Sequence, residues 1–255
     1  MSNSDSAWPE AWSAIYDAMD LDRSPHLAFY TRLVTSRTQS LLDLGCGTGS
    51  ITLALAAAMP PGARVTGVDL APKMIEIARR RAPQHEWVVG DICDPPVAGK
   101  FDLIVICFHT LQMLLTDAQL HQAFRSIAAY LAPAGRFAFD IYQPNLAWLN
   151  SVDPAPSVAR QYIDSTGRGI DVVEANSRYD SSTAILSGEW TLRDSATGRP
   201  IEIEPIVQRV RQYFPADIDQ ALAQSGMRWT DRFGELDRQP FTLQSKRQVY
   251  ICTRS

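Results

Sequence analysis

The sequence has few cysteines, and none of them stands in a metal-binding or redox pattern. The four lie at 46, 93, 107 and 252 with no C-x-x-C pair, so neither a zinc site nor a thiol–disulfide motif is indicated, and no metal is expected. Long apolar runs are missing too. No stretch reaches the ~18–20 apolar residues that span a bilayer, and residues 1–10 are polar, without the apolar region of a secretory leader. The expected location is the cytoplasm, with no membrane partner. Blocks of positive charge are absent apart from Arg79–Arg80–Arg81, and the net charge is −4. Nucleic acids are read largely through basic surfaces, so no nucleic-acid partner is expected. The remaining composition is ordinary for a globular chain, with 45% hydrophobic and 20% charged residues. At 255 residues it can bury a substantial core as one large domain, with room for an insert.

Strand-like and helix-like segments alternate through the first 145 residues. Two N-terminal helices are expected over Trp12 to Met19 and His26 to Val34. Strands are expected at Ser40 to Leu44, Arg64 to Val68, Trp87 to Val89, Asp102 to Cys107 and Arg136 to Ile141. Helices between them fall at Ser50 to Met59, Pro72 to Arg81 and Asp117 to Leu131, the second with proline in its first turn. This order predicts an α/β fold with a parallel sheet and helices on both faces. Right-handed crossovers then place the strand C-termini along one edge, where ligands bind. After Asn150 the pattern changes to alternating, antiparallel-looking stretches, with strands at Glu189 to Arg193, Ile201 to Ile206 and Val207 to Tyr213. A helix over Pro215 to Gly226 and two strands, Met227 to Phe233 and Gln248 to Thr253, follow. The expected organisation is a core of 1–150 and 215–255 with an N-terminal helical cap, and a β-rich insert, 151–214, covering the substrate site.

The strongest local signal is Leu41–Leu42–Asp43–Leu44–Gly45–Cys46–Gly47–Thr48–Gly49–Ser50. A strand enters a glycine turn and a helix leaves it. Alternate glycines let the backbone take positive φ and approach a ligand, and the helix start offers unpaired N–H groups. Asp43 can brace the loop from beneath or accept from a ligand amine. The loop has no Gly-Lys-[Ser/Thr], which argues against an ATP-type P-loop. The third glycine comes one residue early for the dinucleotide fingerprint, with Ser50 in its place. A nicotinamide site is therefore a weaker reading, and a third is an S-adenosylmethionine (SAM) loop, which approaches a methionine chain and ribose instead of a pyrophosphate.

The run Asp43–Leu44–Gly45–Cys46–Gly47–Thr48–Gly49 resembles the first motif of the class I SAM-dependent methyltransferase family. Further landmarks over roughly residues 12–145 resemble the family in order. They are Asp69 ending the second strand, Gly90–Asp91–Ile92 ending the third, Phe101–Asp102 opening the fourth, and Leu131–Ala132–Pro133–Ala134–Gly135 before the fifth. Phe233 to Asp237 and Pro240–Phe241 resemble a subgroup acting on small molecules such as amino sugars and azapteridine-type nitrogen heterocycles. The resemblance implies a Rossmann-like seven-stranded, mostly parallel sheet. It also implies SAM as cofactor, bound by Tyr16, Asp43, Gly45, Cys46, Gly47, Gly49, Asp69, Leu70, Met74, Asp91, Ile92, Phe108 and Met113. Asp69 would hold the ribose, Leu70 and Met74 the adenine face, and Asp91 and Ile92 the adenine edge.

The implied reaction is methyl transfer to nitrogen, or oxygen, of a small-molecule acceptor, by a monomer or homodimer. Tyr16 and His109 are the catalytic candidates. Tyr16 could equally be an aromatic anchor, and His109 a polar helix-start residue. The acceptor would meet Tyr16, His109, Gln112, Tyr142, Trp148, Arg178 and Trp190, although each aromatic also suits a core. Asn145, Tyr179 and Tyr213 are further aromatic or polar candidates, and Arg32 is a candidate for the SAM carboxylate. Where many relatives have histidine, this chain has Met113, which puts an inherited acid–base role in doubt and suggests a neutral nitrogen nucleophile or a base supplied from elsewhere. Asp94–Pro95–Pro96 precedes the fourth strand and lacks a following aromatic, so it reads as a proline turn. A SAM-binding protein without catalysis and a protein or RNA methyltransferase share these cofactor residues and stay open on sequence grounds.

Overall fold

The computed structural model describes residues 9–19 and 22–255; the polar stretch 1–8 lies outside the described residues. The strands are β1 (Ser40–Leu44), β2 (Arg64–Asp69), β3 (Glu86–Val89), β4 (Phe101–Ile106), β5 (Leu131–Tyr142), β6 (Ser157–Ile163), β7 (Gly169–Asp180), β8 (Ile185–Asp194), β9 (Pro200–Arg211), β10 (Met227–Phe233) and β11 (Arg247–Arg254). The helices are α1 (Glu10–Ile15), α2 (Ser24–Thr31), α3 (Ser50–Ala58), α4 (Pro72–Arg81), α5 (Asp117–Tyr130), α6 (Leu146–Leu149) and α7 (Pro215–Gln224). Among the described residues no helix is long and apolar enough to cross a membrane.

Seven strands form one sheet in the order β10-β11-β5-β4-β1-β2-β3. β1, β2, β3, β4 and β5 pair in parallel, while β11 runs antiparallel to both β5 and β10. The central strands are apolar on both faces, as a sheet covered on both sides requires. Alternation along each strand separates two cores. Leu42, Leu44, Ile104, Ile106, Phe137 and Phe139 face α5 and α7. Leu41, Leu103, Val105 and Ala138 face α2 and α3. Asp140 breaks this apolar pattern: it is a fully buried carboxylate on β5.

A second, four-stranded antiparallel sheet, β6-β7-β8-β9, lies between β5 and β10 in the chain. The sequence reading divided 201–213 into two strands. One strand, β9, runs through it, and a register irregularity opposite Trp190/Leu192 absorbs the break in alternation. Such a bulge adds residues on one strand without ending the ladder. The expected N-terminal helix over 12–19 is shorter, because α1 tightens into a 3-10 turn at Tyr16–Ala18. Trp12 Nε1 donates to the Glu204 carbonyl in the bulged stretch at 2.7 Å. Trp12 and Met19 pack with Ile170, Val172, Leu192 and Ile206 beneath the second sheet. The N-terminal segment is thus clamped between the two sheets, over the C-terminal ends of β1 and β4.

Candidate functional site

The glycine turn leaves β1 as its hydrogen bonding to β2 ends, with Gly45 and Cys46 both donating to the Val68 carbonyl at 2.7 and 3.0 Å. Gly45, Gly47 and Gly49 have φ of 75, 55 and 84°, in the region that favours glycine. Their surroundings differ. A Cβ on Gly45 would stand 2.3 Å from Thr110 Cγ2, and one on Gly49 2.6 Å from the Trp87 ring. At Gly47 the nearest group is Tyr16, at 4.0 Å. The first and third glycines let neighbouring elements close on the turn, and the second lies under the Tyr16 ring with room for ordinary contact.

Asp17 ties the cap to this turn. Its Oδ1 accepts from Thr48 Oγ1 at 2.9 Å and from Arg23 at 3.1 Å, and its Oδ2 pairs with Arg81 at 2.7 Å. Arg81 also donates to the Thr48 carbonyl and hydroxyl at 3.3 and 3.1 Å. The sequence reading passed over Asp17, because nothing in its spacing links it to residues 48 and 81.

A cavity of about 650 Å³ opens above the turn. Its walls include Tyr16, Asp43, Gly45, Cys46, Gly47, Phe108, His109, Gln112, Met113, Tyr142, Asn145, Trp148 and Trp190 among the expected residues, together with His26, Gln143, Arg160, Glu174, Gln208, Gln212 and Arg247. Asp69, Leu70, Met74, Asp91 and Ile92 lie outside this cavity wall. Asp69 sits behind the turn, its oxygens accepting from Gly47 N at 2.8 Å and Ala71 N at 2.9 Å. Burial raises its carboxyl, and those backbone N–H groups oppose the rise. Asp91 Oδ1 accepts from Cys93 N at 2.8 Å, and Met74 is buried in the core.

Three expected substrate contacts stand differently in the fold. Arg178 is exposed and pairs with Ser187 on the face of the second sheet away from the cavity, because the β7 irregularity between Ala175 and Arg178 shifts the alternation. Gln112 has both ends of its amide engaged, donating to the Arg211 carbonyl at 3.0 Å and accepting from Tyr142 N at 2.9 Å. It builds the wall rather than offering a hydrogen bond from it. Tyr213 is a core residue whose hydroxyl donates to the Leu114 carbonyl. Arg32 is exposed at the end of α2 and Tyr179 lies beside Arg178 on β7, and neither lines the cavity.

Phe108 and His109, directly after β4, both have positive φ, at 55 and 60°. Such conformations cost bulky residues roughly 1–3 kcal/mol each and persist only when the surroundings fix them. Here Phe108 stacks on His26 at 3.8 Å between ring centroids, His109 stacks on Tyr142 at 3.6 Å, and Asp140 Oδ1 accepts from Phe108 N at 3.3 Å.

Asp140 is the hub beneath these rings. It accepts from Tyr30 at 2.7 Å, meets His26 Nε2 at 3.2 Å, and lies 3.3 Å from both His109 Nδ1 and Arg247 Nη1. Burial alone would raise its carboxyl; the imidazoles of His109 and His26 and the Tyr30 hydroxyl outweigh that and hold it well below the usual range. Arg247 Nη1 also donates to His109 Nε2 at 2.8 Å. Burial pulls the His109 imidazole down to about 4; Asp140 opposes this and Arg247 reinforces it. His109 is therefore a neutral imidazole whose acceptor nitrogen is already engaged. The ligand atoms of His26, His109 and Asp140 lie within 4.8 Å of one another, but the Arg247 guanidinium stands among them and meets two of the three. Sequence reading singled out only His109 of this cluster. Asp140 carried a signal, a charge inside an apolar strand, whereas Arg247 is brought in from the far end of the chain by β11.

One buried side chain bears directly on the SAM expectation. Asp43 is buried at the cavity wall, with Oδ2 accepting from Thr52 at 2.6 Å and Oδ1 left without a partner. Burial pushes its carboxyl up to about 7, with Thr52 opposing and Asp69 adding. An unsatisfied buried oxygen costs about 1–3 kcal/mol, and a ligand ammonium group is the partner that would relieve it. This fits the amino-acid end of SAM, in a cavity whose wall includes Gly45, Gly47 and Tyr16.

Residues 41–135 match a methyltransferase-domain family. The chain is similar, with 35% identity over 130 residues, to a dTDP-4-amino-2,3,4,6-tetradeoxy-D-glucose N,N-dimethyltransferase of Saccharopolyspora spinosa; this spans 49% of the chain and 51% of that protein. The chain spans about half the length of the curated relatives it first matches. Among solved structures, the fold is similar to the CcbJ methyltransferase of Streptomyces caelestis (TM-score 0.77, 20% identity, 100% of this chain and 98% of that one). It is also similar to SAM-bound CalS10, an amino pentose methyltransferase of Micromonospora echinaspora (TM-score 0.69, 23% identity, 97% and 98% of the two chains). The matched segment holds the glycine turn, the acidic residues at the ends of β2 and β3, and the strands β2 to β4, and over that segment the chain is similar to a methyltransferase domain.

Proposed function

We propose that this protein binds SAM and transfers its methyl group to a nitrogen of a neutral, flat small molecule. The observation that carries the reading is the state of His109: the cavity's candidate base is neutral, with a pKa of about 4, and its Nε2 lone pair is taken by Arg247. A nucleophile there has to bring its own lone pair, which a neutral nitrogen does and an alcohol, needing to lose its proton, does poorly. When bound, SAM supplies an electrophilic methyl group on a sulfonium. The acceptor nitrogen would supply the lone pair for the new C–N bond, the S–C bond would break with S-adenosylhomocysteine as the leaving group, and any proton that nitrogen carried would pass to water.

The chain's own contribution is positioning, which lowers the barrier of such a displacement more than any other effect these residues offer. Asp43 and the backbone of Gly45 to Gly49 would hold the amino-acid end of the cofactor. Asp69 and Asp91, at the ends of β2 and β3, would hold its nucleoside end. Tyr16 closes over Gly47, and the Phe108–His109 turn, fixed by Asp140 and Tyr142, shapes the wall beside the reacting groups.

The charges on the wall favour a neutral acceptor. Of the three arginines there, Arg23 pairs with Asp17, and Arg247 with Asp140 and Glu235. Arg160 alone has no carboxylate partner among the described residues, which is little for a nucleotide diphosphate. A nitrogen heterocycle of the azapteridine kind fits this better than a nucleotide-linked amino sugar. The amino-sugar reading draws its support from the names of the relatives.

Release of S-adenosylhomocysteine (SAH) from SAM, measured with a panel of neutral heterocycles and with dTDP-amino sugars, separates the two. Turnover with the heterocycles is expected. Turnover with the nucleotide sugars alone would overturn the neutral-acceptor reading.

A further inference from the structure

The face of the second sheet that looks into the molecule is apolar at one end and polar at the other. Alternate residues of a strand share a face, and on β7 Ile170, Val172 and Glu174 follow one another along it. The first two are buried against α1, and the third reaches the cavity wall. A carboxylate ending an apolar stripe needs space and a partner. Gly188, on β8, provides the space: a Cβ there would stand 2.7 Å from Glu174 Oε1 and 2.9 Å from Ser177 Oγ. Glycine inside a strand weakens it and marks a close approach, and here the group approaching is the carboxylate. Ser177 Oγ donates to Glu174 Oε1 at 2.9 Å and fixes it in the slot.

Glu174 has no cationic partner among the described residues; the ion pairs of this sheet, Arg168–Asp194 and Arg193–Asp171, leave it out. Directly across the ladder from it is Trp190. The Arg160 guanidinium lies 5.6 Å from the centroid of that indole, on the same cavity wall. One aromatic ring is therefore flanked by an anion and a cation that do not pair with each other. Gln143, from the segment after β5, adds a buried Oε1 with no partner. The wall thus presents a carboxylate with no cationic partner among the described residues, one buried amide oxygen without a hydrogen bond, and one donor cation beside a flat ring.

We propose that Glu174, seated in the slot opened by Gly188, selects the methyl acceptor by accepting from a ring N–H, while Arg160 donates to a ring carbonyl. The acceptor class is a cyclic amide, a flat heterocycle that carries N–H and C=O on one edge and stacks on Trp190. The assignment rests on the reading of this cavity as a site for a neutral nitrogen heterocycle. Glu174 is a specificity residue in this scheme and takes no part in the displacement.

The test uses lumazine (pteridine-2,4-dione) as the probe, titrated calorimetrically into the full chain saturated with SAH. Wild type is expected to bind it. E174Q keeps the shape and the Ser177 bond but turns an NH2 donor towards the probe, and should weaken binding at least ~10-fold, the scale of a lost charge-assisted hydrogen bond. G188A should follow it, because its Cβ displaces the carboxylate. SAH affinity should stay within about twofold in both variants, which also shows that they are folded. Lumazine binding unchanged in E174Q overturns the assignment, as does a wild-type chain that takes up SAH but not lumazine. A wild-type chain that fails to bind SAH overturns instead the cofactor reading beneath it.

Discussion

Arg247 donates to His109 Nε2 at 2.8 Å, and that contact decides which imidazole nitrogen carries the proton. A guanidinium has donors only, so Nε2 accepts and the proton sits on Nδ1, 3.3 Å from Asp140 Oδ2. β11 thereby converts the residue best placed to be a base into a neutral strut stacked on Tyr142.

Stability should carry the signature of that strut. Between 6.5 and about 4 the unfolded chain takes up a proton at this residue that the native chain refuses. The stability from His109 is thus present above 6.5 and lost as pH falls towards 4. At ~1.4 kcal/mol per unit the loss is about 3 kcal/mol. Asp43, raised to about 7, acts in the opposite sense over the same range, so the comparison has to be between wild type and H109Q. Urea denaturation at several pH values should show the variant losing less stability on acidification. Parallel curves would show that His109 titrates normally.

Asp43 separates binding from folding. Its buried carboxyl costs stability once ionised, which for a pKa of about 7 means progressively as pH rises from the ordinary carboxylate range to that value. Asp43→Asn keeps an oxygen for Thr52 and removes this cost. The variant should be as stable as wild type or more so at pH 8, yet bind SAM more weakly by ~1–3 kcal/mol, the worth of a hydrogen bond to a charged group. Thermal unfolding and calorimetry on the same preparations test this, and undiminished affinity would remove Asp43 from the cofactor site.

Asp17 holds the cap on the glycine turn through Thr48, Arg23 and Arg81. Asp17→Asn should loosen residues 9–19 and speed dissociation of bound SAH several-fold, while global stability falls by about 1 kcal/mol, as for a partly exposed pair. Stopped-flow release of SAH and limited proteolysis would report it. Equal losses in stability and retention would mark Asp17 as purely structural.

Two glycines with the same backbone sign should respond differently. Gly62 has φ 83° and nothing within 4 Å of where an added methyl group would sit, so Gly62→Ala should cost about 1 kcal/mol. Gly45 has φ 75° and Thr110 at 2.3 Å, so Gly45→Ala should cost ~2–4 kcal/mol through strain plus overpacking and displace the Phe108–His109 turn. Gly45→Ala combined with Thr110→Ser, which removes the clashing methyl group, should recover part of the loss. No recovery would mean that backbone strain accounts for all of it.

The alternation of apolar runs, the prolines at helix starts and the glycine turn were enough to place β1, α4 and β10 at the observed bounds, and most of the other core elements within a few residues. These are local signals, set by which side chains a strand or helix must bury and by what its neighbours in sequence allow. The glycines of the turn and the acidic residues at the strand ends also stand where local sequence puts them. The second sheet was legible only as a region of alternation. Its bulges at Ala175 and opposite Trp190 shift the phase of the pattern, which is how Arg178 came to point away from the cavity and β9 came to look like two strands.

What tertiary structure alone decided is the chemistry of the wall. His26, His109, Asp140 and Arg247 come from α2, the turn after β4, β5 and β11, and no spacing in the chain connects them. The sequence by itself determined that a cofactor loop exists and where the main sheet runs, because both follow from short-range geometry. Whether His109 is a base or a strut, and whether Glu174 faces a cavity or solvent, depends on burial and on partners far away in the chain, and those the fold alone supplies.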